Sequence, residues 1–333
     1  MKIQNISPLN KTFQTRNFQK TNSLYQFKFQ NMPYDTVSFG SKQVDVKDMI
    51  NTIRESKEIQ AEGSKVYQNA QALIPSAKEK FQDSYNAYLL ACKYLKIASK
   101  NLTNPYVELS NGDVLSFKFI VGKSDFSVQM DVFDGCENKK YSITTKGLNP
   151  VQVIEYSDEE GAVIYQYSNN HIVISDNMAL FGDNVGVSDA NYVFIDGQLS
   201  SIRTNVNHKT MPQTSDEFYY YVDDKLAIAE LDNSMNLVTG VSNNKQRYTF
   251  INSKLFNYYD NFTARGRSRI SFDESFHFIN DTFLAHTLNS KQVDGSGAIV
   301  ADSAVYSKSG KFFKADGEKF RIKDAGAIKF DEN

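Results

Sequence analysis

Apolar residues recur at helical spacing between residues 44 and 102. Four of them follow the spacing i, i+3, i+4 and i+7, which places them on one face of a helix: Val46, Met49, Ile50 and Ile53. Pro75 removes a backbone donor and disfavours helical geometry at Ile74, while Ser76 and Glu79 have the spacing of a capping box. Residues 44–102 are therefore predicted to form an amphipathic helical pair, a helical hairpin.

The second of these helices has an apolar seam in which spacings of four and three alternate. Its members are Phe81, Tyr85, Tyr88, Cys92 and Leu95. Such a seam packs against a partner surface. Because no neighbour in the sequence stabilises a thiolate, Cys92 is interpreted as a buried structural thiol.

From residue 106 onward the helical period disappears and the chain repeats itself with a period of about 28 residues. Five copies start at Tyr165, Tyr192, Tyr219, Tyr248 and Phe276. Positions one and three are aromatic in every copy, although aromatic residues make up only 13% of the chain. Tandem repetition of one supersecondary unit is therefore the strongest signal in the sequence.

Position five of each copy is Asn or Asp, and position six is Asn, Gly, Asp or Ser. These residues favour the positive φ angles of a two-residue type I′ turn, so each copy is predicted to be a β-hairpin. Position three then lies opposite position eight, and the predicted pairs are Tyr167 with Ile172, Phe194 with Leu199, Tyr221 with Leu226, Phe250 with Leu255, and Phe278 with Phe283. Position seven, on the other face, is polar in all copies: His171, Gln198, Lys225, Lys254 and Thr282.

These patterns predict an α+β protein that is mainly β. Residues 106–333 are expected to form a large antiparallel meander of tandem hairpins, with degenerate copies near the C-terminus. Strongly twisted open sheets rarely exceed about 10 strands, so the sheet is expected to curl into a half-barrel or a barrel-like shape. The helical pair is expected to cover its aromatic face.

Residues 1–43 differ from the rest of the chain. No Asp or Glu precedes Asp35, and the segment is rich in Asn, Gln, Thr and Ser. This composition is typical of a disordered leader. It lacks the apolar run of a secretory signal, so the expected location is the cytoplasm or export by a route other than the Sec pathway.

Charge and composition exclude several classes of partner. With 37 basic and 39 acidic residues, the net charge of −2 gives no field that collects nucleic acid. No apolar stretch reaches the roughly 18 residues of a membrane helix. The two cysteines cannot form a multi-disulfide framework.

Candidate chemistry is sparse. The fragment Val121-Gly122-Lys123-Ser124 resembles the end of a phosphate-binding loop, but Phe117 occupies the position of its first glycine. His277 and His286 are predicted to share the wetter face of one hairpin as ordinary surface residues. No catalytic, metal or cofactor site is therefore predicted.

Arg265, Arg267 and Arg269 alternate, so on one strand they would project from one face as a small anion or partner patch.

Three functions remain open at this point. The first is a non-catalytic binding or scaffold protein that uses the repeat sheet as an interaction platform for another protein. The second is a carrier of a lipid or other apolar small molecule, held between the aromatic face and the helices. The third, a hydrolase built on a β scaffold, needs a cleft with converging acid or histidine side chains.

Overall fold

In a computed structural model of the protein, the described residues are 46–122, 125–157, 161–180, 186–208, 213–237, 240–265, 269–294, 297–308 and 311–316. The leader predicted at residues 1–43 lies outside them, as does the chain beyond residue 316. Two helices come first, α1 (Val46–Ala72) and α2 (Ile74–Ala98). The strands that follow are β1 (Tyr106–Glu108), β2 (Val114–Val121), β3 (Phe126–Phe133), β4 (Lys139–Lys146), β5 (Asn149–Tyr156), β6 (Ala162–Tyr167), β7 (His171–Leu180), β8 (Gly186–Ile195), β9 (Gln198–His208), β10 (Gln213–Val222), β11 (Lys225–Leu237), β12 (Gly240–Ile251), β13 (Lys254–Arg265), β14 (Arg269–Ile279), β15 (Thr282–Asp294), β16 (Gly297–Lys308) and β17 (Lys311–Asp316).

The strands form one antiparallel meander. Each strand pairs with the next along the chain. Among the residue pairings of the described strands, none joins β17 to β1, so the sheet stays open rather than closing into a barrel. The predicted fold class, a helical pair followed by a large antiparallel meander of hairpins, is confirmed.

The hairpin register also agrees with the sequence. All five predicted cross-strand pairs between positions three and eight are present. In the last four copies both turn residues have φ between +48° and +80°, as a type I′ turn requires. The first copy differs, because neither Asn169 nor Asn170 has a positive φ, and the predicted turn type is wrong there.

The same four copies contain a β-bulge that the sequence pattern did not predict. In each, two residues of the second strand lie opposite one residue of the first, and the extra residue is position nine: Ser200, Ala227, Phe256 or Leu284. A bulge shifts the alternation of side chains by one residue. Position eleven, rather than position ten, therefore faces the same way as the aromatic residues of positions one and three.

The helices lie on that aromatic face as a bent pair, with only Leu73 between them. Pro75 lies in the first turn of α2, where its missing N–H costs no helical hydrogen bond. The predicted capping box does not form, since α2 begins at Ile74 without a side-chain cap. Helix α1 contacts β15, β13 and β11, and α2 contacts β9, β7, β5 and β3. The helical pair therefore crosses the strands in reverse chain order.

Small residues recur every seven positions along this pair, and all are buried. They are Ser56, Gly63, Ala70, Ala77, Ser84, Ala91 and Ala98, which we call the small-residue column. At Gly63, an added Cβ would lie 3.0 Å from Cδ2 of Leu255, the position-eight residue of one hairpin. Small side chains along this line let the helical backbone approach the sheet closely. The seam predicted in α2 is correct for Phe81 and Tyr88 but wrong for Tyr85, which is 47% exposed.

Side chains next to this column contact successive hairpins, again in steps of seven residues. Gln60 donates to the carbonyl oxygen of Asp281 (2.8 Å). The Tyr67 hydroxyl donates to Oγ of Ser253 (2.7 Å). Further along, Phe81 packs on Phe194 and Tyr88 on Tyr167, with ring centroids 4.7 Å and 5.2 Å apart. One heptad of helix therefore spans one hairpin.

Helical and strand geometry account for this register. Seven helical residues rise about 10.5 Å. Two strand spacings measure about 9.6 Å. Because the two lengths nearly match, each heptad presents the same face to each hairpin. Tyrosine hydroxyls reinforce the register, because Tyr221 donates to the carbonyl oxygen of Ala70 and Tyr167 to that of Ser84, both at 2.7 Å.

Enlarging the small-residue column should separate the helices from the sheet. Ala77 is fully buried, so Ala77→Leu is expected to lower the free energy of unfolding by about 2–3 kcal/mol. Ala72 is exposed on the same helical pair, and Ala72→Leu should change it by less than about 0.5 kcal/mol. Urea unfolding followed by circular dichroism measures both. Equal losses in the two variants would contradict close packing along the column.

Removing one heptad together with one hairpin should preserve the register. Deletion of residues 64–70 removes a heptad, and deletion of residues 219–247 removes the hairpin copy that contacts Ala70. The double deletion is expected to unfold cooperatively, because Ala77 then follows Gly63 at the heptad spacing. Each single deletion should melt roughly 10 °C or more below the double deletion, since it leaves helix and sheet out of step. Calorimetric scans of the three variants test this, and a double deletion less stable than both single ones would contradict it.

Candidate functional site

The two faces of the sheet differ in what covers them. Positions one and three of the repeat point toward the helices, and eight of these ten aromatic residues are buried: Tyr165, Phe194, Tyr219, Tyr221, Tyr248, Phe250, Phe276 and Phe278. The opposite face carries positions two, four and seven. Position seven is exposed in all five copies, as predicted. We call this opposite side the uncovered face, because no described helix lies on it.

A row of aliphatic side chains crosses the uncovered face close to the turns. It consists of position four in the last four copies, Ile195, Val222, Ile251 and Ile279, which we call the position-four row. Val222, Ile251 and Ile279 are 49%, 39% and 45% exposed. Each residue of the row pairs with position seven of its own hairpin, so that Lys225 and Lys254 lie beside Val222 and Ile251. Apolar and polar side chains thus alternate from strand to strand.

Ion pairs lie further along the same strands. Arg203 contacts Asp216 at 3.1 Å, and its guanidinium lies 4.9 Å from the centre of the Phe218 ring. Arg247 contacts Glu230 at 3.4 Å. Because both members of each pair are at least partly exposed, each contributes less than about 1 kcal/mol to stability. The ion pairs hold charged groups in fixed positions on this face.

Cross-strand hydrogen bonds also order polar side chains on this face. Asn205 donates to Oδ1 of Asp216 at 2.7 Å, on the neighbouring strand. Four strands further on, the Tyr259 hydroxyl donates to Oδ1 of Asp273 at 2.8 Å. Amide, hydroxyl and carboxylate groups are therefore presented in a regular pattern.

The three arginines predicted to form a patch do not share one strand. Strand β13 ends at Arg265 and β14 begins at Arg269, and these two residues lie directly opposite each other. Arg267 lies outside the described residues. The single strand assumed for the patch is absent, because the alternation spans the connection between two strands. An anion or partner patch at these arginines stays a prediction. Arg265 lines a shallow depression with Val241, Asn243 and Thr263 on the uncovered face.

The bulge corrects the prediction for the two histidines of the last copy. His277 lies on the uncovered face, but His286 lies opposite Phe276 on the helix-facing side. Its ring stacks on Phe276 at 4.2 Å and is almost fully buried. Nε2 of His286 contacts Oε1 of Glu274 at 2.7 Å. A count of positions that includes the extra residue Leu284 is needed to place His286 correctly.

His286 and Glu274 belong to a group of ionisable side chains beneath α1. Asp260 lies opposite Glu274, and burial raises the pKa of its carboxyl although the Tyr258 hydroxyl donates to it at 3.0 Å. Burial and the nearby Glu274 raise the pKa of Glu55 on the helix. The described part of the chain holds no group of three or more His, Cys, Asp or Glu side chains arranged to bind a metal ion. Glu274 and His286 are within hydrogen-bond distance of each other, but the helix lies over them.

Two further candidate sites from the sequence are the Cys92 thiol and the phosphate-loop fragment. Burial raises the pKa of the Cys92 thiol, which is the opposite of what a nucleophilic cysteine needs. Val121 ends strand β2, so the phosphate-loop fragment does not open a helix; its Lys123 and Ser124 lie outside the described residues. Neither α1 nor α2 is long and apolar enough to cross a membrane.

Comparison with protein families and with curated proteins yields no match.

The buried Asp260 predicts how stability depends on pH. Its pKa is raised in the folded protein, so the folded state binds more protons than the unfolded state between the two pKa values. Burying the charged Asp260 carboxylate lowers the stability of the folded protein, and protonation removes this cost. The free energy of unfolding is therefore expected to gain from Asp260 as the pH falls from neutrality into the carboxyl range. Each unit of the shift corresponds to about 1.4 kcal/mol.

Asp260→Asn should remove the pH-dependent part of the free energy of unfolding that comes from Asp260. Urea unfolding at a series of pH values measures this change. Asp196, in an exposed turn, provides a matched control for the loss of one carboxylate, Asp196→Asn. Identical profiles for Asp260→Asn and the wild type would contradict a raised pKa at Asp260.

Proposed function

We propose that the protein is a non-catalytic scaffold that binds another protein through the uncovered face of its sheet. The observation that carries this proposal is the contrast between the two faces. One face is filled by α1 and α2, while the other exposes the position-four row together with ordered polar side chains. Exposed apolar rows rimmed by polar residues are typical of protein-binding surfaces.

The repeat itself supports this interpretation. The covered face keeps aromatic residues at positions one and three in every copy. On the uncovered face, position two differs in each copy: Gln166, Val193, Tyr220, Thr249 and His277. Repeat proteins that serve as binding platforms keep framework residues and vary the exposed ones.

The packing argues against the other two functions. A carrier needs space between the helices and the aromatic face, but Phe81, Tyr67 and Tyr88 pack in tilted or edge-on contacts against aromatic residues of that face. A hydrolase needs an open cleft, whereas the pair of Glu274 and His286 lies beneath α1. The platform is therefore the function that the described residues support best.

The proposal predicts that binding depends on the position-four row. A triple variant, Val222→Asp with Ile251→Asp and Ile279→Asp, should recover at least tenfold less of any specific partner when used as bait in an extract of the source cells. Its control is Tyr85→Asp with Leu89→Asp, which alters exposed apolar residues on the outer side of α2. Thermal unfolding checks that each variant stays folded, and quantitative mass spectrometry identifies the partners.

Recovery of the same proteins in the same amounts by wild type and triple variant would contradict the proposal. Loss of partners from the control variant alone would instead place the binding surface on the helices.

A further inference from the structure

The position-four row has a spacing that selects the shape of its partner. Val222, Ile251 and Ile279 occupy equivalent positions in three consecutive hairpins, formed by β10 to β15. Neighbouring residues of the row are therefore two strands, or about 9.6 Å, apart. A partner that crosses the strands must present an apolar side chain at the same interval.

An extended strand does not meet this requirement. Its side chains return to one face every two residues, at intervals of about 6.7 Å or about 13 Å. In an α-helix, residues seven apart lie on one face and are separated by about 10.5 Å. Of these two, the α-helix with an apolar heptad repeat comes closer to the spacing of the row.

The protein already contains a helix that fits its hairpins in this way. On the covered face, residues seven apart, such as Gln60 and Tyr67, contact successive hairpins. The uncovered face has the same hairpin spacing, because both faces belong to the same strands. On the uncovered face, too, the rise of one heptad of a second helix would therefore nearly equal the width of one hairpin.

The side chains beside the row define the chemistry of this helix. Lys225 and Lys254 are exposed next to Val222 and Ile251. Lys254 also contacts Asp281 at 2.5 Å, across the turns. A helix with acidic residues flanking its apolar positions complements these lysines. A proline-rich segment also repeats every three residues at about 9.3 Å, but such segments bind aromatic-lined grooves rather than aliphatic rows.

We propose that the uncovered face binds an amphipathic α-helix of a partner protein, laid across β10 to β15. One heptad of this helix covers each hairpin, its apolar residues contact Val222, Ile251 and Ile279, and its acidic residues face Lys225 and Lys254. This inference rests on the proposed platform function and names the kind of segment that the platform recognises.

The test uses the full-length protein and synthetic peptides in a fluorescence anisotropy titration. The probe is a labelled helical peptide of three heptads, with Leu at the first and fourth positions of each heptad and Glu beside them. Its matched control has one Ala inserted between successive heptads, so that the apolar spacing becomes eight residues. The heptad peptide is expected to bind at least tenfold more tightly than the control peptide.

Two protein variants locate the binding. The triple Asp variant of the position-four row should bind the heptad peptide at least tenfold more weakly than the wild type. The double variant Lys225→Glu with Lys254→Glu should weaken binding severalfold and make it less sensitive to added salt, because the attraction to Glu is lost.

Absence of binding by the heptad peptide, or equal binding of both peptides, would overturn the inference, as would tighter binding of a proline-rich peptide. If partners still depend on the position-four row in the bait experiment while the heptad peptide fails, the helical partner is wrong and the platform stands. If neither depends on the row, both proposals fail.

Discussion

The near equality of two lengths organises this protein: the rise of seven helical residues and the width of one β-hairpin. A helix laid across a sheet normally drifts out of step with the strands beneath it. Here the drift is small, since the two lengths are about 10.5 Å and about 9.6 Å. Helix and sheet can therefore repeat the same contact at every hairpin from β15 to β3.

This constraint explains which residues the chain places where. Only small side chains fit the line of closest approach, which accounts for the column from Ser56 to Ala98. The bulge at position nine places position eleven opposite position one, on the helix-facing side of the second strand. Because the helices cover one face, the variable positions of the repeat lie on the uncovered face, where recognition is proposed to take place.

Much of the fold follows from sequence pattern, because turn residues and cross-strand pairs are local and agree with each other. The five hairpins and their register could be predicted for that reason. The bulges could not, since an extra residue changes faces without changing composition, and His286 was misplaced as a result. The small-residue column was visible as a period of seven, but its meaning depends on the spacing of strands far away in the chain. Arg265 and Arg269 show the same limit, because their alternation crosses a strand connection.

Zero-length crosslinking of carboxylates to lysines, read by mass spectrometry of the monomer, tests the helix-to-hairpin register most directly. Lys78 contacts Asp224 at 2.7 Å, and Lys80 contacts Asp176 at 2.6 Å. The register predicts that these two crosslinks dominate for the two lysines. Crosslinks from Lys78 to Asp196, in the turn of a neighbouring hairpin, would shift the helix by one repeat, and crosslinks to Asp281, two hairpins away on the other side, would shift it by two. Either result would contradict the account.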